Sequence, residues 1–326
     1  MKILRLISLV AVMVLSYWAL SHLFIYAVPA SETSPSTTVQ ATQPPLDGWV
    51  EAAGQRFFYI DNLPITGWHF LNGAQYYFAA NGAMHTGFLE AEGSTYYFAE
   101  DGKMVVGNRE IEGTFYSFTS DGKKITLINP WHSRPEDPNL ELKKLSSDYS
   151  TKNIYVSAEC YDALIAMLRE CNAVCPSACV VSGYRSIQTQ KELFNNKIQR
   201  VMQAQGVSQE EAAAIAARSV AIPGTSEHQL GLAVDIVDDE YWVLDQKQEN
   251  MPAQQWLMKN SWRFGFILRY PTGKTAETGI IYEPWHYRYV GEKVAAEIYH
   301  SGLTLEAYLQ QLTDGTWVSP IPRQEQ

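Results

Sequence analysis

The chain has 326 residues, of which 46% are hydrophobic, so it is too long for one small domain and can bury a sizeable core. Its formal net charge is −10. This charge argues against nucleic acid as a partner, because phosphate binding needs clustered Lys and Arg. It also argues against simple adsorption onto an anionic surface.

A targeting segment is predicted at the N-terminus. Lys2 and Arg5 precede an apolar run that ends at Val28, and at about 1.5 Å per residue this run could span a bilayer core of about 30 Å. We therefore predict a transmembrane or signal helix in residues 1–30 and favour an uncleaved anchor, although the end of the run also suits signal cleavage. Basic residues before the run place the rest of the chain outside the cytoplasm. Residues 31–45 are rich in Ser, Thr, Pro and Gln, which predicts a disordered linker.

Residues 46–125 repeat with a period of about 20 residues. Alternating aromatic residues followed by Asn-Gly or Asp-Gly predict β-hairpins. A single hairpin is too small to bury its own face, so the hairpins are predicted to stack into an all-β solenoid. The units begin at Gly48-Trp49, Gly67-Trp68, Gly87-Phe88 and Gly107-Asn108, and the closing turns are Asn81-Gly82, Asp101-Gly102 and Asp121-Gly122.

Two stretches after the repeats carry the candidate chemistry, residues 226–235 (SEHQLGLAVD) and residues 283–286 (EPWH). They supply two imidazoles and two carboxylates, a set that suits a catalytic zinc site with three protein ligands, one open position and a carboxylate for proton transfer. We interpret His228, Asp235 and His286 as the ligands and Glu283 as the general base. Asp235 lies in an apolar run that predicts a buried strand, where a carboxylate must be paired or metal-bound.

The spacing of Glu283 and His286 is informative because Pro284 lies between them. The proline keeps the preceding residue extended and excludes a helical Glu-x-x-His motif. Residues three apart on a regular strand face opposite sides of the sheet. Pro284 must therefore bend the chain, or Glu283 must reach the metal only through water.

Arg185 is a further candidate for the site. It follows a short strand predicted for residues 178–182 and a turn at Gly183. A guanidinium is always charged and can bind a carboxylate with two parallel hydrogen bonds. We interpret Arg185 as an anion-binding residue; the alternative is a surface salt bridge.

Four cysteines fall in this region: Cys160, Cys171, Cys175 and Cys179. An even number outside the cytoplasm predicts disulfides, for which three connectivities are open. If residues 157–171 form one helix, Cys160 lies about 16 Å from Cys171, so that pairing is the least expected. A second zinc site is the alternative.

Three motifs in the same order resemble the VanY-type D-alanyl-D-alanine carboxypeptidases, and the resemblance covers residues 127 to about 312. It implies an α+β domain with a small antiparallel sheet that holds one Zn²⁺ ion. It also implies the metal and base roles given above, anion binding by Arg185, and substrate contacts from Ser226 and Gln190. The motifs are Ser182-Gly-Tyr-Arg185-Ser with Gln190, Ser226-x-His228-x-x-Gly-x-Ala-x-Asp235, and Glu283-Pro-Trp-His286.

The resemblance implies a zinc-dependent D,D-carboxypeptidase that removes the C-terminal D-alanine from peptidoglycan stem peptides. The alternatives are an L,D-carboxypeptidase acting on tetrapeptide stems and a wall-binding protein with an inactive peptidase domain. Each places the protein at the bacterial cell wall, either anchored in the membrane or secreted.

The repeats resemble the cell-wall-binding repeats of choline-binding and glucan-binding proteins, at Gly-Trp, Tyr-Tyr-Phe and the closing Asn/Asp-Gly-x-Met. In those proteins, aromatic pockets between hairpins hold a quaternary ammonium or a sugar. Here Phe88 and Asn108 replace tryptophan in the later units. The aromatics could therefore bind choline, bind a wall glycan or teichoic polymer, or only hold the hairpins together. The expected organisation is a signal or anchor (1–30), a linker (31–45), wall-binding repeats (46–125), a zinc carboxypeptidase domain (126–312) and a tail (313–326).

Overall fold

The computed structural model describes residues 47–175 and 177–321, and four antiparallel hairpins come first. The first three hairpins place the aromatic residue after the first glycine opposite an aromatic residue of the second strand, as in the pair Trp68 and Tyr77, whereas the fourth hairpin pairs Asn108 with Ser117. The strands are β1 (Gly48–Ala52), β2 (Gln55–Ile60), β3 (Leu63–Pro64), β4 (Gly67–Leu71), β5 (Ala74–Phe78), β6 (Gly87–Ala91), β7 (Ser94–Phe98), β8 (Gly107–Ile111), β9 (Thr114–Phe118) and β10 (Lys124–Ile125).

The hairpins are confirmed, but their tight turns differ from those that the sequence emphasised. The two-residue turns have positive φ at both positions, as in Glu92 (52°) and Gly93 (71°). This is the backbone that a type I′ turn requires. The Asn81-Gly82 dipeptide instead joins one hairpin to the next, where the Gly82 amide donates to the Ala79 carbonyl at 2.8 Å. The turns within the hairpins are Ala53-Gly54, Asn72-Gly73, Glu92-Gly93 and Glu112-Gly113.

Aromatic rings join successive hairpins. The Trp49 ring lies 5.2 Å from Tyr76 of the next hairpin, and the Trp68 ring lies 4.8 Å from Tyr96. Phe78 and Phe98 are completely buried between the hairpins. The predicted stacking therefore follows from aromatic surface that no single hairpin could bury.

The second half of the structure is an α+β domain, as the resemblance implied. Its main sheet has four antiparallel strands in the order β13, β14, β16, β15. All residues of β14 are buried, because the strand lies inside the sheet. The strands are β11 (Leu142–Lys144), β12 (Tyr155–Ser157), β13 (Ala178–Ser182), β14 (Ala233–Asp238), β15 (Phe266–Leu268) and β16 (His286–Tyr289).

Helices surround this sheet. The first helix packs Leu164 and Met167 into the core that also holds Val234 and Ile236 of β14. The helices are α1 (Ala158–Val174), α2 (Ile187–Gln205), α3 (Gln209–Ala216), α4 (Pro252–Asn260), α5 (Thr275–Thr278), α6 (Glu292–Ser301) and α7 (Leu305–Thr313). Short 3₁₀ turns span Glu227–Leu230, Gln246–Asn250 and Ser261–Phe264.

The expected fold class is wrong in one respect, its N-terminal transmembrane helix. In the part of the chain that the structure describes, no helix combines the length and the apolar character needed to cross a bilayer. The longest described helix, Ile187–Gln205, exposes Lys191 and Glu192 on its surface. The fold of the described residues therefore contains no transmembrane helix. Residues 1–30 and 31–45, for which the anchor and the linker were predicted, lie outside the described residues.

The disulfide expectation is also wrong, because all four cysteines are free. Cys160 and Cys171 occupy the same helix, and each sulfur contacts a different part of the chain. The Cys160 Sγ lies 3.5 Å from the Gly231 carbonyl, whereas the Cys171 Sγ lies 3.9 Å from the Ala253 carbonyl. Burial raises the pKa of both thiols to about 12, so they remain protonated and pack as small apolar groups.

Candidate metal centre

The main sheet brings the candidate ligands together from distant parts of the sequence. Asp235 on β14 is paired directly with His286 on β16. His228 lies in the 3₁₀ turn before β14, and this turn ends at Gly231 with a φ of 66°. A Cβ atom at Gly231 would lie 2.8 Å from the Ser157 nitrogen, so only glycine allows the turn to pack this closely.

Pro284 lies in a bend, as one of the two predicted options required. The His286 amide donates to the Glu283 carbonyl at 3.2 Å, which closes a turn before β16 begins. The Glu283 Oε2 atom consequently lies 3.8 Å from the His286 Nδ1 atom. Glu283 is thus beside the candidate ligands without belonging to the group of three that could hold a metal ion.

Three side chains form a compact donor group. The His228 Nε2 atom lies 3.3 Å from Asp235 Oδ2, and the His286 Nδ1 atom lies 3.1 Å from Asp235 Oδ1. One ligand atom from each residue falls within 4.8 Å of the others, and all three residues are buried.

The donor group fits a zinc ion. The His228 Nδ1 atom lies 2.7 Å from the Gly183 carbonyl, which places its proton there and leaves Nε2 free to bind a cation. That Nε2 atom is buried and has no hydrogen-bond partner. Two imidazoles and one carboxylate are a donor set that catalytic zinc sites use.

The other predicted residues line the same cleft, whose volume is about 400 Å³. The Arg185 Nη2 atom lies 3.8 Å from Asp235 Oδ2. Its Nη1 donates to Gln190 Oε1 at 3.1 Å, and the Gln190 side-chain amide donates to the Ala221 carbonyl at 2.7 Å. Ser226 is buried at the cleft wall. Gln190 therefore contacts Arg185 directly and holds its guanidinium in the cleft.

Comparison with known proteins agrees with this arrangement. The profile of the family described as D-alanyl-D-alanine carboxypeptidase, VanY, matches residues 153–292. A bifunctional D-Ala-D-Ala dipeptidase and D-Ala-D-Ala carboxypeptidase of Enterococcus gallinarum, VanXYC, is 31% identical over 191 residues, which are 56% of this chain and 92% of the relative. The chain belongs to the VanY family.

Two further similarities define the extent of the match. A D-alanyl-D-alanine carboxypeptidase of Enterococcus faecalis is 42% identical over 185 residues, 57% of this chain; the match spans 65% of that relative, just under two thirds. The crystal structure of a mutant of the vancomycin resistance D,D-pentapeptidase VanY, in complex with Zn(II), is 40% identical and has a TM-score of 0.50. This structural match covers 56% of the present chain and 97% of the VanY chain. The profile of a choline-binding repeat matches residues 65–109.

The electrostatics of this VanY-family site differ between the two histidines. Burial lowers the pKa of His228 to about 4, and the nearby Arg185 adds to this effect. Burial would also lower the pKa of His286, but the nearby carboxylates of Asp235 and Glu227 raise it to about 9. Burial would raise the pKa of Asp235, but His228 holds it well below its usual range.

The candidate base has a perturbed pKa as well. Burial raises the pKa of Glu283 to about 8, although His286 acts in the opposite direction. Without a metal ion beside it, this carboxyl group is mostly protonated at neutral pH. A divalent ion among the three ligands would favour the ionised form that a general base needs.

The sequence interpretation missed Glu227, which is next to His228 in the chain and was treated as an ordinary motif position. Its side chain is fully buried and accepts hydrogen bonds at Oε1 from Arg269 Nε (2.7 Å) and Arg288 Nη1 (2.9 Å). Burial would raise its pKa, but the two arginines hold it well below the usual range. Both arginines follow apolar or aromatic residues in the sequence, and buried cations there imply a buried counter-charge. That signal could have identified Glu227.

Proposed function

We propose that this protein is a zinc-dependent D,D-carboxypeptidase that removes the C-terminal D-alanine from peptidoglycan stem peptides. The observation that carries the proposal is the buried group of His228, Asp235 and His286 with Glu283 beside it. Membership of the VanY family supports the substrate class, because the similar E. faecalis and E. gallinarum proteins are named for D-Ala-D-Ala carboxypeptidase activity.

His228 would hold the zinc ion through Nε2, Asp235 through its carboxylate and His286 through Nδ1. When bound, zinc acidifies a water molecule and polarises the scissile carbonyl. Glu283 accepts the proton of the attacking water and returns it to the leaving amine. Its buried carboxylate lies at the edge of the ligand group, where it can reach a water without displacing a ligand.

Arg185 supplies the positive charge that the substrate needs. Its guanidinium lies in the cleft, 3.8 Å from a ligand carboxylate, and Gln190 orients it. It binds either the terminal carboxylate of the peptide or the negative charge that develops on the carbonyl oxygen. Ser226 lines the same wall and contacts the peptide in this proposal.

We further propose that residues 46–125 bind a cell-wall polymer and thereby keep the peptidase domain, residues 126–312, at its substrate outside the cytoplasm. The match of residues 65–109 to a choline-binding repeat supports this role. Trp68 lies between Tyr77 of its own hairpin (5.3 Å) and Tyr96 of the next (4.8 Å), and aromatic faces arranged in this way attract cations and sugars.

The decisive experiment is mass spectrometry of the protein incubated with L-Ala-γ-D-Glu-L-Lys-D-Ala-D-Ala or with its tetrapeptide, with and without a chelator. We expect chelator-sensitive loss of one alanine from the pentapeptide only. Cleavage of the tetrapeptide alone would indicate an L,D-carboxypeptidase. No cleavage of either peptide by zinc-loaded protein would favour a wall-binding protein with an inactive peptidase domain.

The matched control is Glu283→Gln, which keeps the side-chain size and removes the base. We expect this variant to bind zinc and to lose activity by at least about a hundredfold, the usual contribution of a general base. Metal content measured alongside turnover separates the two roles. Full activity in the variant would remove Glu283 from the mechanism.

A further inference from the structure

Two buried polar atoms face each other on the side of His286 that does not contact Asp235. The His286 Nε2 atom lies 3.5 Å from the Glu227 Oε2 atom. Neither atom has a hydrogen-bond partner. The His286 side chain is 5% exposed and the Glu227 side chain is 0% exposed, so both groups are shielded from bulk solvent.

The other oxygen of Glu227 is fully occupied. Oε1 accepts from Arg269 at 2.7 Å and from Arg288 at 2.9 Å, and the side chains of both arginines are 0% exposed. Both guanidinium groups are donors only. The carboxylate is therefore fixed in orientation, and the oxygen left without a donor is the one that points towards His286.

The charges around Glu227 compensate one another. Arg269 also binds Glu306 of α7 with two hydrogen bonds, Nη1 to Oε2 at 2.8 Å and Nη2 to Oε1 at 2.6 Å. Arg288 donates from Nη2 to the Thr126 carbonyl at 2.9 Å. Two carboxylates thus face two guanidinium groups, and Glu227 stays ionised without taking a proton from His286.

We propose that Glu227 is a positioning residue that holds the His286 proton on Nε2 and so leaves Nδ1 free to bind the metal. The inference rests on the proposed zinc site. A ligating histidine usually donates its other ring N–H to a carboxylate or carbonyl, which sets the tautomer and the ring orientation. The Gly183 carbonyl accepts from His228 in this way at 2.7 Å, and the Glu227 Oε2 atom, 3.5 Å from His286 Nε2, is placed to do the same for His286.

The test is the zinc affinity of full-length Glu227→Gln, measured by competition with a chromophoric chelator. Because Arg269 and Arg288 only donate, the glutamine oxygen must face them and its NH₂ group must face His286. That NH₂ group donates to Nε2 and moves the ring proton to Nδ1, the metal-binding atom. We expect zinc affinity to fall by about 10- to 100-fold, the range found when such supporting residues are changed.

Glu306→Gln is the matched control, since Glu306 belongs to the same ion network but does not contact His286. It should also lower the thermal midpoint of the metal-free protein, because it weakens the same network, but it should weaken zinc binding by less than Glu227→Gln. Unchanged zinc affinity in Glu227→Gln would overturn the inference. Equal losses of affinity in both variants would also overturn it, because the network would then act only through stability.

A measurement on the unaltered protein keeps the inference testable if Glu227→Gln does not fold. In zinc-loaded protein, ¹⁵N–¹H correlation spectra of the histidine rings should show the His286 proton on Nε2. A proton on Nδ1 would contradict the inference. Failure of the proposed function has a different signature, namely absence of zinc binding or of peptide cleavage by the wild-type protein.

Discussion

At the scale of single residues, the site combines histidines of opposite character. His228 is neutral at physiological pH because burial and Arg185 lower its pKa to about 4. His286 lies between Asp235 and Glu227, which raise its pKa to about 9 against the effect of burial. The metal-free site therefore holds a proton on His286 that zinc must displace.

Zinc affinity should accordingly rise with pH. Between about pH 6 and pH 9, His286 carries a proton in the metal-free protein and loses it when Nδ1 binds zinc, so affinity should increase by about tenfold per pH unit. Chelator competition at several pH values measures this slope. An affinity that stays flat between pH 7 and pH 9 would show that His286 is already neutral or is not a ligand.

Arg185 offers a second prediction at this scale. Arg185→Lys keeps a charge but loses the planar fork, and we expect kcat/KM to fall by about 10- to 100-fold, as for loss of a hydrogen bond between charged groups. A rise in KM alone would assign Arg185 to the terminal carboxylate, whereas a fall in kcat would assign it to the developing anion.

Arg200→Gln, which removes an exposed cation from the same cleft, is the control and should change neither kcat nor KM by more than about threefold. If Arg185→Lys leaves both constants unchanged while Arg200→Gln lowers kcat/KM, only the overall charge of the cleft matters.

At the scale of secondary-structure elements, glycine is required for two different reasons. In the hairpin turns it supplies a positive φ, as at Gly93 (71°), where a Cβ atom would meet nothing within 4 Å. At Gly231 both the positive φ and the nearby Ser157 backbone exclude a side chain. Gly93 is required only for its backbone conformation, whereas Gly231 also allows the close packing that positions His228.

Gly93→Ala and Gly231→Ala should therefore separate these two effects. We expect Gly93→Ala to cost about 1–2 kcal/mol, the strain of a left-handed alanine, and to leave zinc affinity unchanged. Gly231→Ala should cost more and should also weaken zinc binding, because the turn carrying His228 must move. Thermal unfolding and zinc titration of both variants provide the comparison. If Gly231→Ala binds zinc like the wild type, the close packing of this turn does not position the ligand.

At the scale of the whole molecule, the last hairpin belongs structurally with the C-terminal helices. The Asn108 amide donates to Thr313 Oγ1 at 2.7 Å, and the Ser120 hydroxyl donates to both carboxylate oxygens of Glu297 at 2.9 Å. Val106 and Phe115 pack against the cluster that contains Leu309. A division after residue 125 follows the repeat pattern but cuts through this packing.

Truncated chains should show whether the fourth hairpin stabilises the peptidase domain. A chain that begins at residue 106 should keep the thermal stability of the peptidase domain, whereas one that begins at residue 126 should be less stable by about 2–5 kcal/mol, because Phe115 and its neighbours no longer cover the helices. Both chains should bind purified cell walls more weakly than the full-length protein. Equal thermal midpoints for the two truncated chains would show that the fourth hairpin adds no stability, and unchanged wall binding would make the repeats a spacer.

The sequence by itself determined what depends on local pattern. The hairpin period is set by nearby residues and appears as predicted, and the bend at Pro284 is one of the two options that the sequence left open. The candidate ligands His228 and Asp235 were also recognisable, because a carboxylate in an apolar strand needs a partner. These signals depend on chemistry within about ten residues.

Only the tertiary structure decided features that join distant segments. The pairing of β14 with β16 places Asp235 beside His286, and the same sheet brings Glu227 against Arg269 and Arg288. The free cysteines depend on which neighbours each sulfur meets across the core, and the fourth hairpin depends on α6 and α7 for its packing. A local pattern shows that a group must be buried or paired, but the partner is chosen by the long-range contacts that the fold creates.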